Sequence, residues 1–461
     1  MVTALSRRSA LLATALLLAG CGGDRDDEGL RTSAPAGTVP TVPRTAPATT
    51  TATTTRAAPK ADVEPTTSEA STPPPTRPPV PPRTTAPLTV PRATVEAPAA
   101  TTTSDPARAP KEATPPPAAP FVVGAVDDAA RHPGPVLGQL ANVGFGALAI
   151  TSYWDPGRAR PAREELAILR DVTRRASGRD LRVFLAVFHR GSSTTPLTAE
   201  ARSQFAAYVA AIVREIPSIR DVIVGNEPNI NRFWLPQFGA ARESVAPAAY
   251  LALLAEVYDA AKAADEDVFV WGGALAPRGS DRPGGKRPTH SPGKFIRELG
   301  VALRESGRSE PVMDGFAFHP YPESARTPPD LPHPNPRSRV IGLADVGRLQ
   351  ALLREALGRE LPILYSEFGV ESAIPREKRG LYEGTELARP VDEATQAEFY
   401  RRALELAACQ KGVVGLLLFH SHDEPFFVGF QSGVLYVDGT PKASLPAVRA
   451  AIEAARAGCV E

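Results

Sequence analysis

The stretch Val222-Ile223-Val224-Gly225-Asn226-Glu227-Pro228 is an apolar run of strand length that stops abruptly on a polar turn. On either side the spacing changes. Ala199 to Ile216 and Tyr250 to Ala264 repeat their apolar residues at helical period, so the strand is flanked by helices as in a β-α unit. The same alternation continues in both directions. Strands are predicted over Phe121 to Val126, Ala147 to Thr151, Val183 to Phe188, Val222 to Val224, Val268 to Trp271, Gly315 to Phe318, Ile363 to Tyr365 and Val413 to Phe419. Further helical patterns cover Arg163 to Arg174, Leu349 to Leu357, Glu393 to Ala408 and Ser444 to Arg456. Eight such units predict an α/β fold, a closed (β/α)8 TIM barrel over residues 121–461, with longer loops after strands four to seven. An open doubly wound sheet is the competing architecture. Against it, the first strand-to-helix turn, Gly124-Ala125-Val126-Asp127-Asp128, lacks the glycine spacing that cradles a phosphate.

Chemistry in a barrel sits where the strands end, so the residues just past each apolar run are the candidates. They are Asp127 and Asp128, Tyr153-Trp154-Asp155, His189-Arg190, Asn226-Glu227, Trp271, His319-Pro320-Tyr321, Ser366-Glu367 and His420-Ser421-His422-Asp423-Glu424. Four of the chain's seven histidines fall in this set, which points to one shared mouth. Two glutamates end strands four and seven, on facing parts of the rim. Strand parity groups Glu227 with Gly225 and Ile223, and Glu367 with Tyr365 and Ile363, so both carboxylates enter the mouth if those faces do. Such a pair suits glycoside cleavage, which needs one carboxyl to protonate the departing oxygen and one carboxylate to attack the anomeric carbon. A buried neighbour such as Trp271, or the second carboxylate, is expected to raise Glu227, and a hydrogen bond from Tyr321 to keep Glu367 ionised.

On these motifs the segment from Phe121 onward resembles glycoside hydrolase clan A, the retaining (β/α)8 glycosidases that include cellulase-like members. Asn226-Glu227-Pro228 is similar to the strand-four signature of the clan, and the resemblance implies Glu227 as acid/base and Asn226 as donor to the sugar 2-hydroxyl. Leu364-Tyr365-Ser366-Glu367-Phe368-Gly369 resembles the strand-seven segment, which implies Glu367 as nucleophile. His319-Pro320-Tyr321 resembles the strand-six His-x-Tyr, whose tyrosine hydrogen-bonds the nucleophile, and His189 corresponds to the strand-three histidine. Many clan members present a tryptophan after strand eight, where this chain has Phe419 and His420. His420 is therefore expected to contact substrate, as are Trp154 and Trp271. Trp154, Trp234 and Phe427 are candidate sugar platforms, with local packing an equal alternative. The implied function is hydrolysis of an O-glycosidic, β-configured linkage through a covalent intermediate. Transglycosylation and sugar binding without turnover are the alternatives. A zinc-like reading of His420 and His422 is disfavoured, and the expectation is a monomer with no metal and no cofactor.

Residues 1–120 read differently. They contain no aromatic residue, and residues 21–120 are dominated by Thr, Pro and Ala, a composition predicting a disordered tether that spans on the order of 300 Å when extended. Residues 1–20 combine Arg7 and Arg8 with the apolar run Ala10 to Ala19, too short to span a bilayer, and read as an export signal. Leu18-Ala19-Gly20-Cys21 resembles the bacterial lipobox, which implies cleavage before Cys21, acylation of its thiol (palmitate or a similar chain), and a lipoprotein anchored on the outer or periplasmic face of the cell membrane. The twin-arginine and general export routes both remain open. Export permits a disulfide between Cys409 and Cys459, worth roughly 4 kcal/mol in the loop-closure picture, with two separate thiols as the alternative. With 52 basic and 51 acidic side chains there is no footprint for nucleic acid, and a neutral carbohydrate is the expected partner.

Overall fold

A computed structural model of the chain describes residues 121–386 and 388–459. The export signal, Cys21 and the tether lie outside the described residues. Eight parallel strands close into a barrel in sequential order. They are β1 (Val122–Val126), β2 (Ala147–Trp154), β3 (Arg182–His189), β4 (Asp221–Val224), β5 (Phe269–Leu275), β6 (Gly315–Phe318), β7 (Ile363–Phe368) and β8 (Val413–Phe419). The covering helices are α1 (Val136–Val143), α2 (Arg163–Ser177), α3 (Ala199–Glu215), α4 (Ala246–Ala264), α5 (Pro292–Glu305), α6 (Val346–Leu357), α7 (Glu393–Cys409) and α8 (Leu445–Ala457).

Local chemistry explains why the helices start where they do. Thr198, Ser291 and Asp392 each accept a hydrogen bond from a backbone N–H of the first turn of α3, α5 and α7. In α2, Glu164 and Glu165 sit at the positive end and Arg174 and Arg175 at the negative end, complementing the helix dipole. One apolar stripe of α2, including Leu166, Leu169 and Val172, is buried against the strands. The long loops after β4, β5, β6 and β7 are as expected, and 420–444, after β8, is a further one. Cys409, the last residue of α7, is bonded to Cys459 after α8, with their Cα atoms 4.6 Å apart.

Two apolar layers form the core. The larger lies between strands and helices, and the smaller fills the barrel lumen with Ala147, Ala149, Phe184, Ile223, Trp271, Ala317, Leu364 and Leu417. The lumen mixes very small and very large side chains. Trp271 fits because its partner across the ladder is Gly315, where a Cβ would come within 2.4 Å of the indole. Its Nε1 donates to Asp221 at 3.0 Å, and Asp221 also accepts two hydrogen bonds from Arg182, at 2.7 and 2.6 Å. These residues lie at the N-terminal ends of β3, β4 and β5. Trp271 is thus a floor residue, and the expectation that it borders substrate or Glu227 is corrected.

Candidate active site

Glu227 is carried on the turn after β4, and its geometry depends on two departures from regular backbone. Gly225 and Glu227 both have positive φ, 82° and 39°, the second uncommon for a residue with a Cβ. The backbone N–H of Glu227 donates to Ala274 C=O at 2.8 Å. Ala274, itself at φ 47°, is the extra residue where the β5–β6 register shifts between Gly273 and Leu275. Asn229 fixes the same turn from below, its side chain donating to Ala276 and His290 carbonyls and accepting from Ala276 N–H. Four hydrogen bonds therefore hold Glu227 in a conformation that it would not adopt alone. Asn226 sits half-buried on this turn.

Glu367 reaches the mouth by a different device. Ile363 and Tyr365 belong to the outer layer, whereas Leu364 faces the lumen, so plain alternation would send Glu367 outward. The parity expected for strand seven is corrected here. Tyr365 pairs with Leu416 and Phe368 with Leu418, which leaves Ser366 and Glu367 together opposite Leu417. This bulge adds a residue to β7 and re-aims Glu367.

His319, just past β6, joins the two carboxylates. Its Nδ1 lies 3.1 Å from Glu227 Oε1 and 3.5 Å from Glu367 Oε2. Tyr321 donates its hydroxyl to Glu367 Oε2 at 3.0 Å. Glu227 and His319 are each 2% exposed, while the Glu367 side chain keeps 19% of its surface. Glu227 Oε2 is buried without a protein partner.

The electrostatics follow from this crowding. Burial, reinforced by the charge of Glu227, pushes the Glu367 carboxyl above the ordinary glutamate value, although His319, Tyr321 and His420 pull it down. The Tyr321 hydroxyl lowers the Glu367 carboxyl in the expected direction, but burial outweighs it and the net shift is upward. Burial opposes charge on His319, but the charges of Glu367 and Glu227 and the bond to Glu227 raise it overall. His319 thus binds its proton more tightly than a free imidazole because two carboxyls face it.

Several sequence candidates do not reach the mouth. Trp154 is fully buried on the outer face of β2, packs on Phe205 of α3 at 5.4 Å, and donates Nε1 to Arg158 C=O. His189 shares the outer register of β3, contacts Trp234 edge to face at 5.6 Å, and is driven down to about 4 by burial. Trp234 is 1% exposed, and Phe427 stacks on Tyr382. These are packing residues, and the platform and substrate roles given to them are corrected. On the inner register of β2 stands Tyr153, next to Phe188 of β3 and under the Arg190 guanidinium. The sequence carried its signal, since Ala147, Ala149 and Thr151 are the small residues on the lumen side of that strand and Tyr153 continues their parity.

After β8, Phe419 and His420 are linked by a cis peptide bond. The Phe419 ring meets Tyr321 and Phe430 at 6.3 and 5.1 Å, and His420 Nδ1 lies 2.8 Å from Val126 C=O. Ser421, His422 and Asp127 touch one another, but this is not a nucleophile relay: Ser421 Oγ and Asp127 reach the same nitrogen, Nδ1, and His422 Nε2 is used by Gln139. The cluster ties the β8 loop to β1.

The sequence matches no protein-family profile and no curated protein. Among solved structures, the fold is similar to that of a family 39 glycoside hydrolase from the gut symbiont Bacteroides cellulosilyticus WH2, with a TM-score of 0.52 at 17% identity, over 72% of this chain and 63% of that one. It is also similar to a glucosidase from Croceicoccus marinus, with a TM-score of 0.52 at 14% identity, over 73% of this chain and 68% of that one. The chain spans less than two thirds of the first of these enzymes. At such identities the likeness is one of architecture, and what it establishes is that the chain has the (β/α)8 barrel fold of these two glycoside hydrolases.

Proposed function

We propose that the barrel is a retaining glycosidase acting on a β-glycosidic linkage of an extracellular polysaccharide or glycoconjugate. One observation carries the reading: a single imidazole nitrogen touches both glutamates. Oxygens 3.1 and 3.5 Å from the same atom lie no farther apart than those lengths laid end to end, about 6.6 Å. Retaining pairs stand about 5 to 5.5 Å apart, whereas inverting pairs need roughly 6.5 to 9.5 Å to admit a water. The bound applies to the two facing oxygens, and a pair held this close favours the shorter, retaining spacing. The fold shared with two glycoside hydrolases agrees with this reading.

In the first step Glu367 attacks the anomeric carbon as the bond to the leaving oxygen breaks, and Glu227 gives that oxygen its proton. Water then attacks the glycosyl-enzyme ester, Glu227 takes its proton, and Glu367 leaves as a carboxylate. His319 can hand the shared proton toward either glutamate, because its Nδ1 faces both. Tyr321 stabilises the carboxylate form of Glu367 during attack and release.

The test uses aryl glycosides. Glu367→Ala abolishes turnover, while Glu227→Ala spares the first step for substrates whose leaving group needs no proton. A 2-fluoro-glycoside labels Glu367 in the intact protein. Undiminished hydrolysis by the Glu367→Ala protein refutes the assignment. Acylation of Cys21 is proposed to hold the enzyme on the membrane, and Cys21→Ser should release it into the soluble fraction.

A further inference from the structure

Glu227 stands between two backbone anchors. On its N-terminal side, its own N–H donates to Ala274 C=O at 2.8 Å. On its C-terminal side comes Pro228, which has no N–H, so its carbonyl is its only backbone hydrogen-bonding group. Gln237 Nε2 donates to that carbonyl at 2.9 Å, and to Trp234 C=O at the same distance. Carbonyls only accept, so the orientation of the amide is settled and Gln237 Oε1 faces His290 Nδ1, 2.7 Å away. Oε1 accepts as well, and Nδ1 therefore carries a hydrogen whatever the state of the other ring nitrogen. Gln237 is 1% exposed and His290 is fully buried, so neither side chain is open to a substrate.

The line of bonds ends on rigid parts of the barrel. His290 Nε2 lies 2.7 Å from Ser244 Oγ and 3.7 Å from Glu298 Oε2, and Glu298 is paired with Lys294. The imidazole stacks on Phe238 at 4.2 Å between centroids. Its own backbone N–H donates to Asn229 C=O at 2.8 Å, and the next residue, Ser291, caps α5. Gln237 C=O receives the N–H groups of Val245 and Ala246 at the start of α4. Buried hydrogen bonds thus run from the starts of α4 and α5, through His290 and Gln237, to the peptide that follows Glu227. A residue with a Cβ at φ 39° keeps that conformation only where its surroundings impose it. Misplacing a reacting group by about 1 Å costs on the order of 100-fold in rate.

We propose that Gln237 and His290 are positioning residues for Glu227, holding its carboxyl where it meets the leaving oxygen while touching no substrate themselves. The inference rests on the reading of Glu227 as acid/base, but the clamp on its turn is measurable without turnover. Three variants dissect it. His290→Phe keeps the stacked ring and loses both nitrogens. Gln237→Met keeps the length and loses the amide. His290→Asn restores a donor at the place of Nδ1.

The experiment uses the full chain with phenyl and dinitrophenyl β-glycosides of glucose, galactose, mannose and xylose. Dinitrophenolate leaves without a proton, and phenolate needs one. In His290→Phe and Gln237→Met, kcat/KM should fall about 100-fold on the phenyl glycoside and less than about 5-fold on its dinitrophenyl partner. His290→Asn should recover most of that difference. Equal losses on both leaving groups in a folded variant, or no loss on either, overturns the proposal, and Gln237→Met carries the same readout should His290→Phe not fold. The second measurement is hydrogen exchange followed by mass spectrometry. Exchange should quicken in peptides spanning residues 225–235 of both variants and stay as in the wild type for β1 and β2. Unaltered exchange in 225–235 overturns the clamp whatever the kinetics. Faster exchange there, in a protein whose wild type cleaves none of the glycosides, counts against the hydrolase reading alone and upholds the clamp.

Discussion

The two ends of the barrel are built on opposite terms. At the floor, buried Asp221 receives three hydrogen bonds, two from Arg182 and one from Trp271, and the indole fits against a glycine. At the mouth, Glu227 Oε2 and His420 Nε2 are buried without partners, two acids share one histidine, and Glu227 and Ala274 hold left-handed backbone. The floor is satisfied and the mouth is not. Local rules followed at one end and broken at the other mark where a protein keeps stability and where it keeps chemistry.

Two substitutions should give opposite readouts. Glu367→Ala should cost about 10⁴-fold or more in turnover, yet leave the melting temperature unchanged or raised, because it removes a dehydrated carboxyl. Asp221→Ala should do the reverse. It strips the buried Trp271 Nε1 of its acceptor and Arg182 of its partner, for about 2–4 kcal/mol of stability, with kcat per folded molecule nearly constant. Arg182 is partly exposed and can turn to water, which keeps the figure below that for a fully buried pair. Loss of turnover in folded Asp221→Ala would break the division.

Tyr321→Phe tests the mouth more finely. The hydroxyl lowers the Glu367 carboxyl by hydrogen bonding, so its removal raises that group further. Attack needs the ionised form, and the acid limb of kcat/KM should therefore move to higher pH, with about a 10-fold to 100-fold loss at the optimum. An unshifted limb means that Tyr321 does not act on the titrating nucleophile.

Much of this was legible in the sequence, for identifiable reasons. All eight strands could be found because apolar runs and helical patterns have different periods. Glu227, Glu367, His319 and Tyr321 were visible because each lies at or just past the end of an apolar run. What escaped was rotation. No pattern in Ile363 to Phe368 announces a bulge, so the inward turn of Glu367 was expected from the wrong parity. Trp154 and His189 were chosen by residue type although their parity sends them outward, and Tyr153 was passed over for its larger neighbour. The role of Asn229 depends on contacts with Ala276 and His290, far away in sequence, and only tertiary structure discloses them.

The smallest effect concerns whether the cost of the mouth extends beyond the reacting groups. Glu371, four residues after Glu367, is raised to about 7 by burial and by the charges of Glu386, Asp423 and Glu424, with Lys442 opposing. In the unfolded chain a glutamate titrates near ~4.3. The folded protein therefore binds this proton more tightly, so its contribution to stability is complete below the unfolded value, falls as pH rises toward 7, and is absent above it. Glu371→Gln carries no such dependence. Compared with the wild type, it should be level near pH 4 and more stable by on the order of 1 kcal/mol at pH 8, a figure reduced from the full shift because the side chain is not wholly dehydrated. Thermal melts of both proteins across pH 4 to 9 decide the matter. A difference that stays flat with pH would confine the strain of the mouth to Glu227, Glu367 and His319, whereas one that opens between pH 4 and 7 extends it to the loop behind the nucleophile.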